Sequence, residues 1–214
     1  MNRVAPRVRR GWSTEFALQQ DGVSVTTERL WTNACAEHDE AVAACVGAIG
    51  QVPGSAWQTR HAAGKWSPAE EALHVVLAYE FGVDAATRGA SMRLLVPPFA
   101  AWLSGHLLLP LLLRARRFPR GAAAPREVQP SIAAAQVLSS SDVAHRLTVV
   151  AEVAARALRE ADARRPSARI VHAYFGALSP HRTLRLLSAH TRHHAASLRA
   201  ADTGWASPDV GSAP

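Results

Sequence analysis

The stretch Leu184–Leu198, LRLLSAHTRHHAASL, decides how the chain is read, because it sets two histidines one helical turn apart within an apolar stripe. On a helix His190 and His194 project from one face roughly 6 Å apart, since four residues rise about 1.5 Å each. Two imidazoles so placed can share one metal ion. The stripe Leu184, Leu187, His190, His194 and Leu198 follows the 3/4 spacing of a buried helix face, so both rings are expected to point into the protein. The plain alternative is a pair of core histidines held by ordinary hydrogen bonds. What the rest of the chain brings to meet them decides between the two.

Moving upstream, a second inward histidine stands on a helix that announces its own start. In WSPAE, Ser67 suits the N-cap, Pro68 the first helical position, and Glu70 completes an S-x-x-E capping box. From there Glu70, His74, Leu77 and Phe81 share one face, so His74 looks inward. Glu70 is either the cap or an acceptor for His74, four residues on. A first helix is expected from Val25 to Ile49, with Leu30, Ala34, His38, Ala41, Cys45 and Ile49 on its inner side; His38 there is expected to be a flanking or hydrogen-bonded histidine near the acidic run Glu37, Asp39 and Glu40, with the border of a central pocket as the alternative. The third helix, about residues 141 to 163, turns Val143, Leu147, Val150, Ala154 and Leu158 inward, with Asp142 in its first turn. Ser179 and Pro180 start the fourth. The Pro/Gly/Ala-rich run FPRGAAAPREVQPS lies between the second and third helices. Four long amphipathic helices and no alternating strand run predict an all-α protein, a four-helix bundle with a long crossover between helices two and three. His74 then converges with His190 and His194 in the bundle core.

Length and composition bound the remaining possibilities. The 214 residues suffice for one core, and no linker divides them. One domain is expected over residues 25–200, with an N-terminal arm at 1–24 and a C-terminal tail at 201–214. The net charge of +7 comes almost wholly from arginine, Lys65 being the only lysine. Arginines spread along the chain without a nucleic-acid motif mark a solvated surface, so no nucleic-acid partner is expected. Cys35 and Cys45 are ten residues apart on one predicted helix, too far to bond to each other, which fits a reducing compartment. The opening MNRVAPRVRRGW lacks the apolar core of a secretory signal. A cytoplasmic location is therefore expected.

Residues Leu94–Leu113, LLVPPFAAWLSGHLLLPLLL, are apolar enough to span a bilayer, but Pro97, Pro98, Gly105 and Pro110 interrupt them. The expectation is a buried or surface-packed broken helix, with contact between 94–113 and a membrane surface as the alternative.

Three segments together resemble a known family. GKWSPAEEALHVVLAYE at 64–80, HAYFGALS at 172–179 and AHTRHHAASL at 189–198 are similar to the motifs of the DinB-like (YfiT-like) family of metal-dependent bacterial proteins, which is unrelated to the DNA polymerase sharing that name. The resemblance covers about residues 25–200. It implies a four-helix bundle, a homodimer, and one divalent metal ion (Zn, Ni, Fe or Mn) held by His74, His190 and His194. Where relatives carry H-P-x-F-G, this chain has Ala173 in place of the proline. His193 is the competing second ligand of the fourth helix, about 100° around from His194. Three neutral imidazoles leave an open position for water, as in catalytic rather than structural sites. Relatives include hydrolase-like proteins and enzymes using low-molecular-weight thiols. The expected activity is hydrolysis of a small-molecule substrate by metal-bound water, with Glu70 or His38 as base; the alternatives are thiol transfer and a non-catalytic binding bundle.

Overall fold

Helix α2 (Pro68–Arg88) begins with the capping box read from the sequence. The Glu70 N–H donates to Ser67 Oγ at 3.3 Å, and the Ser67 N–H donates to Glu70 Oε2 at 2.8 Å. Gly89 ends the helix in the left-handed region at φ 74°, which costs glycine no steric strain. Our computed structural model describes residues 13–62, 64–115, 118 and 123–204, with side chains from residue 27 to 200 of these.

Four long helices carry the core: α1 (Ser13–Gln51), α2, α6 (Ser140–Arg164) and α7 (Pro180–Gly204). α1 packs on α6 and α7, α2 packs on α6 and α7, and α6 touches α7. Their inner faces share one cluster that includes Ile49, Val76, Tyr79, Leu147, Leu158, Leu184 and Leu198. α6 carries its own capping box, Ser139 with Asp142. Cys35 and Cys45 are both free thiols.

Several boundaries differ from expectation. α1 starts at Ser13, so the part of the expected arm at residues 13–24 is helical, which the sequence did not signal because this stretch carries no sustained apolar period. Residues 1–12 and 205–214 lie outside the described residues, and α7 runs past residue 200 into the expected tail. The link before α7 contains a small hairpin that was not expected. Strands β1 (Ile170–His172) and β2 (Gly176–Leu178) pair antiparallel with His172 opposite Gly176. Strands of three residues are too short to show alternation. Beyond α2 the chain runs beside this hairpin, the Met92 N–H donating to Val171 O at 3.1 Å and the Leu95 N–H to Ala173 O at 3.0 Å.

The connection from α2 to α6 is built of short helices: α3 (Pro98–Leu103), α4 (Leu109–Ala115), a 3-10 turn at Arg126–Val128, and α5 (Ile132–Val137). A wide π turn at Ser104–Leu108 joins α3 to α4 without a break. It ends two residues before Pro110, whose ring in an ordinary α-turn would press on the His106 carbonyl. The apolar segment is thus surface-packed and continuous, and its inner side joins a second small core of Leu109, Phe175, Leu178 and Leu186.

Gly105 is the closest approach in that packing. A Cβ there would collide with the Phe175 carbonyl oxygen, which belongs to rigid hairpin backbone. Gly105→Ala is therefore expected to destabilise the protein by about 1–3 kcal/mol, as overpacking does. Thermal or urea unfolding of the variant beside wild type checks this, and an unchanged midpoint would show that the hairpin yields freely.

Candidate metal centre

α2 presents His74 in its second turn, and α7 presents His190 and His194 on one face. Each outer histidine is tied at the back. His74 Nδ1 lies 2.7 Å from the Val128 carbonyl, which the 3-10 turn of the connection delivers. His194 Nδ1 lies 2.8 Å from Glu71 Oε1. Both acceptors lack a proton to give, so each Nδ1 is the donor and each Nε2 carries a lone pair. Those lone pairs point to the same place: His74 Nε2 and His194 Nε2 are each 3.1 Å from His190 Nε2. The ligand atoms of all three lie within 4.8 Å of one another.

A proton on His190 Nε2 can serve one neighbour fully, and the other contact then sets nitrogen against nitrogen. A cation at the centre satisfies all three. Three imidazole nitrogens, with a carboxylate and a backbone carbonyl fixing two of the rings from behind, form a donor set that fits a divalent transition metal ion.

The electrostatics keep the donors available. Burial pushes His74 down to about 4, helped by the neighbouring His194, while the Val128 carbonyl and Glu71 pull weakly the other way. Burial drives His190 well below the ordinary histidine value, and the surrounding histidines add to that. Burial would raise the Glu71 carboxyl, but its hydrogen bonds, that from His194 foremost, outweigh it and hold it below the usual value. At neutral pH His74 and His190 are neutral and Glu71 is ionised.

The other residues singled out from sequence lie elsewhere. Glu70 stays in its cap, where Oε2 accepts from Arg60 Nε at 2.8 Å and Oε1 from Arg60 Nη2; the Arg60 hydrogen bond is the main reason its carboxyl is held low. His38 is 2 % exposed, with Nδ1 3.0 Å from Asp39 Oδ1 and its ring edge-on to Tyr79. Its Nε2 is buried without a hydrogen-bond partner. Neither Glu70 nor His38 lines the cavity beside the centre. His193 does line it, its ring 5.2 Å from that of His194, but it stands outside the cluster of three.

That cavity holds about 320 Å³ and is walled mainly by apolar side chains, among them Phe81, Leu108, Leu112, Phe118 and Phe175. His172 also lines it. The Tyr174 N–H donates to His172 Nδ1 at 3.2 Å, and burial pushes this histidine down to about 4. Its proton therefore sits on Nε2 at neutral pH. Trp66 also lines the cavity and packs on His74, ring centroids 4.8 Å apart.

The family model of the DinB superfamily matches residues 37–198, which contain all three clustered histidines and Glu71. The chain belongs to the DinB superfamily. No curated protein and no solved structure matches it. The match spans the long helices of the core except the first part of α1 and the end of α7, so the whole histidine cluster lies inside the DinB-like unit.

Two residues of this DinB-superfamily site escaped sequence reading. Glu71 is one position from the capping glutamate and one turn before His74, a spacing that signals a shared face but not which histidine receives the carboxylate. His172 sits in the HAYFG motif, and only the hairpin shows that it reaches the cavity.

A pH dependence follows from His172. Its folded pKa is depressed, so its contribution is complete above the unfolded value near 6.5 and is lost as the pH falls from there to about 4. In chelator-treated protein this group accounts for up to about 3 kcal/mol of stability lost over that window. His172→Gln should shallow the fall of the unfolding midpoint between pH 6.5 and 4. Identical slopes in variant and wild type would contradict the burial ascribed to it.

Proposed function

We propose that this chain is a metal-dependent hydrolase that holds one divalent ion on His74, His190 and His194 within a four-helix bundle with a long crossover, and acts on small substrates with an apolar body. The observation that carries the reading is the convergence of three Nε2 atoms, two of them held as lone-pair donors by Val128 and Glu71. Zinc, nickel, iron and manganese all suit such a set. An ion held by these three histidines would supply Lewis acidity and lower the pKa of water.

The protein groups do the rest. The apolar wall around Phe118 and Phe175 holds the substrate's apolar part and excludes bulk water, which strengthens every polar contact inside. His193, on the cavity wall beside His194, takes the proton of the attacking water. His172, with its proton on Nε2, donates a hydrogen bond to the oxygen that gains negative charge. Glu71 keeps the His194 ring turned so that Nε2 faces inward.

One observation favours a second reading. Neither Glu70 nor His38 lines the cavity, so proton removal falls to His193 among the described residues, the lining His172 already carrying its proton on Nε2. A low-molecular-weight thiol, far more acidic than water, needs less help from a protein base. Transfer of such a thiol to an electrophile is therefore the alternative to hydrolysis.

Metal content comes first as a test. His74→Ala, His190→Ala and His194→Ala are each expected to lose stoichiometric metal in protein purified without a tag, and Glu71→Gln to bind it about 10–100-fold more weakly. His193→Ala should keep its metal and lose about 100-fold or more in turnover. Activity is then read on a panel of esters, amides and lactones with apolar acyl groups, followed by electrophiles offered with cellular thiols. Turnover only with the thiol selects the transferase reading. Full metal content in His190→Ala removes the site, and tight ligand binding without any turnover replaces the enzyme by a binding protein.

A further inference from the structure

The helical run Pro98–Ala115 is long and apolar enough to cross a membrane, with a mean hydropathy of 1.2 over 18 residues, yet only 17 % of it is buried. Its side chains sort into two rows. Ala101, Gly105 and Leu109 are buried, while Phe99, Leu103, Leu107 and Leu111 are 72 %, 39 %, 62 % and 63 % exposed, with Trp102 beside them at 54 %. Both rows repeat every fourth residue. In a regular helix each such step drifts about 40° around the axis, so the outer row would wind away from itself within three steps. The π turn at Ser104–Leu108 adds a residue to one turn and takes back most of that drift. The helix therefore keeps a single continuous apolar face turned to solvent.

This helix is fixed along its length and does not stand free to span a bilayer. Arg182 Nη2 donates to the Gly105 carbonyl at 2.5 Å, and Leu109 is completely buried against Phe175, Leu178 and Leu186. The charge along this part of the sequence is one-sided. Between Asp84 and Glu127 the sequence has seven arginines and no acidic residue, which equals the whole chain's net +7 and leaves the remainder balanced. A shallow depression on the flank of the helix is lined by His106, Pro110, Arg114, Arg182 and Arg185. Arg185 is paired with Glu37 at 3.4 Å, whereas Arg114 and Arg182 have no acidic partner among the described residues.

We propose that this face docks on an anionic phospholipid surface, with Phe99, Trp102, Leu103, Leu107 and Leu111 in the acyl boundary and Arg114 and Arg182 against lipid phosphates. A flat-lying helix with aromatic and aliphatic side chains on one side and arginine at its flank is the pattern of interfacial attachment, and tryptophan favours that depth. Guanidinium groups match phosphate oxygens in pairs. A second copy of the chain is the poorer occupant, because the segment offers no acidic residue to receive the other copy's Arg114.

The experiment is sedimentation of the full chain with vesicles, either pure phosphatidylcholine or equal parts phosphatidylcholine and phosphatidylglycerol. Wild type is expected to bind the anionic vesicles at low salt and at least about tenfold more weakly to the neutral ones, with release at high salt. The double variant Leu107→Glu/Leu111→Glu should lose at least about tenfold in affinity for the anionic vesicles, and Arg114→Gln should lose its preference for them. Both leucines are exposed, so unfolding midpoints should match wild type; a variant that fails this check is replaced by Phe99→Ser. No binding by wild type, or equal binding by wild type and a folded variant, overturns the proposal. So does a wild-type dimer that the double variant converts to monomer while vesicles bind neither.

Discussion

The geometry of the centre rests on where two Nδ1 protons go. His74 gives its proton to the Val128 carbonyl and His194 gives its proton to Glu71, and these two bonds turn both Nε2 lone pairs toward His190. A ring free to flip would offer either nitrogen, so the anchors convert three nearby histidines into a directed set. They also make the centre depend on distant parts of the chain. Val128 belongs to the 3-10 turn of the long connection, Glu71 to the first turn of α2, and His190 and His194 to α7. The cap formed by Ser67 and Glu70 fixes where α2 begins, and so sets the height at which Glu71 and His74 meet α7.

Much of this was legible because it repeats at helical spacing. His190 and His194 share the stripe with Leu184, Leu187 and Leu198, and three of these five are buried apolar residues in the structure, with His194 buried beside them. The starts of α2 and α7 were marked by serine followed by proline. The second carboxylate was not legible in the same way. Glu70 and Glu71 are adjacent in sequence, and the capping box drew attention to the first, whose two oxygens are taken up by Ser67 and Arg60. Adjacent helix positions differ by about 100°, enough to send one glutamate to the cap and the other to His194.

What stayed hidden has physical reasons that differ from residue to residue. Val128 acts through its carbonyl, and a backbone acceptor leaves no trace in side-chain pattern. His172 reaches the cavity because β1 pairs with β2 in a register that sets it opposite Gly176, a contact between residues in a hairpin too short to show period two. His38 fits the inner stripe of α1 and meets Asp39 of the neighbouring acidic run, as the first of its two readings had it, with its ring against Tyr79 and away from the cavity of the second. An inward face fixes depth but not which neighbour a side chain meets. The first turns of α1 carried no apolar period at all.

The apolar run from Pro98 to Ala115 shows why composition alone could not place one segment. Its hydropathy is compatible with a bilayer span, a buried helix or a helix lying on a surface, and the interrupting prolines argued for a break. Pro98 instead takes the first helical position, where a missing N–H costs nothing. Pro110 is accommodated by widening the preceding turn, not by ending the helix. That widening has a second effect on packing, since the helix must present a thin inner row to the hairpin over its whole length. Gly105 allows the backbone to approach Phe175, and Leu109 fills the space one turn on. Without the extra residue of the π turn, Leu109 would rotate off the hairpin by about 100°. The same residue pattern that looks like a defect in a helix is therefore what lets one side of it close the DinB-like cavity, through Leu108 and Leu112, while the other remains a flat apolar face.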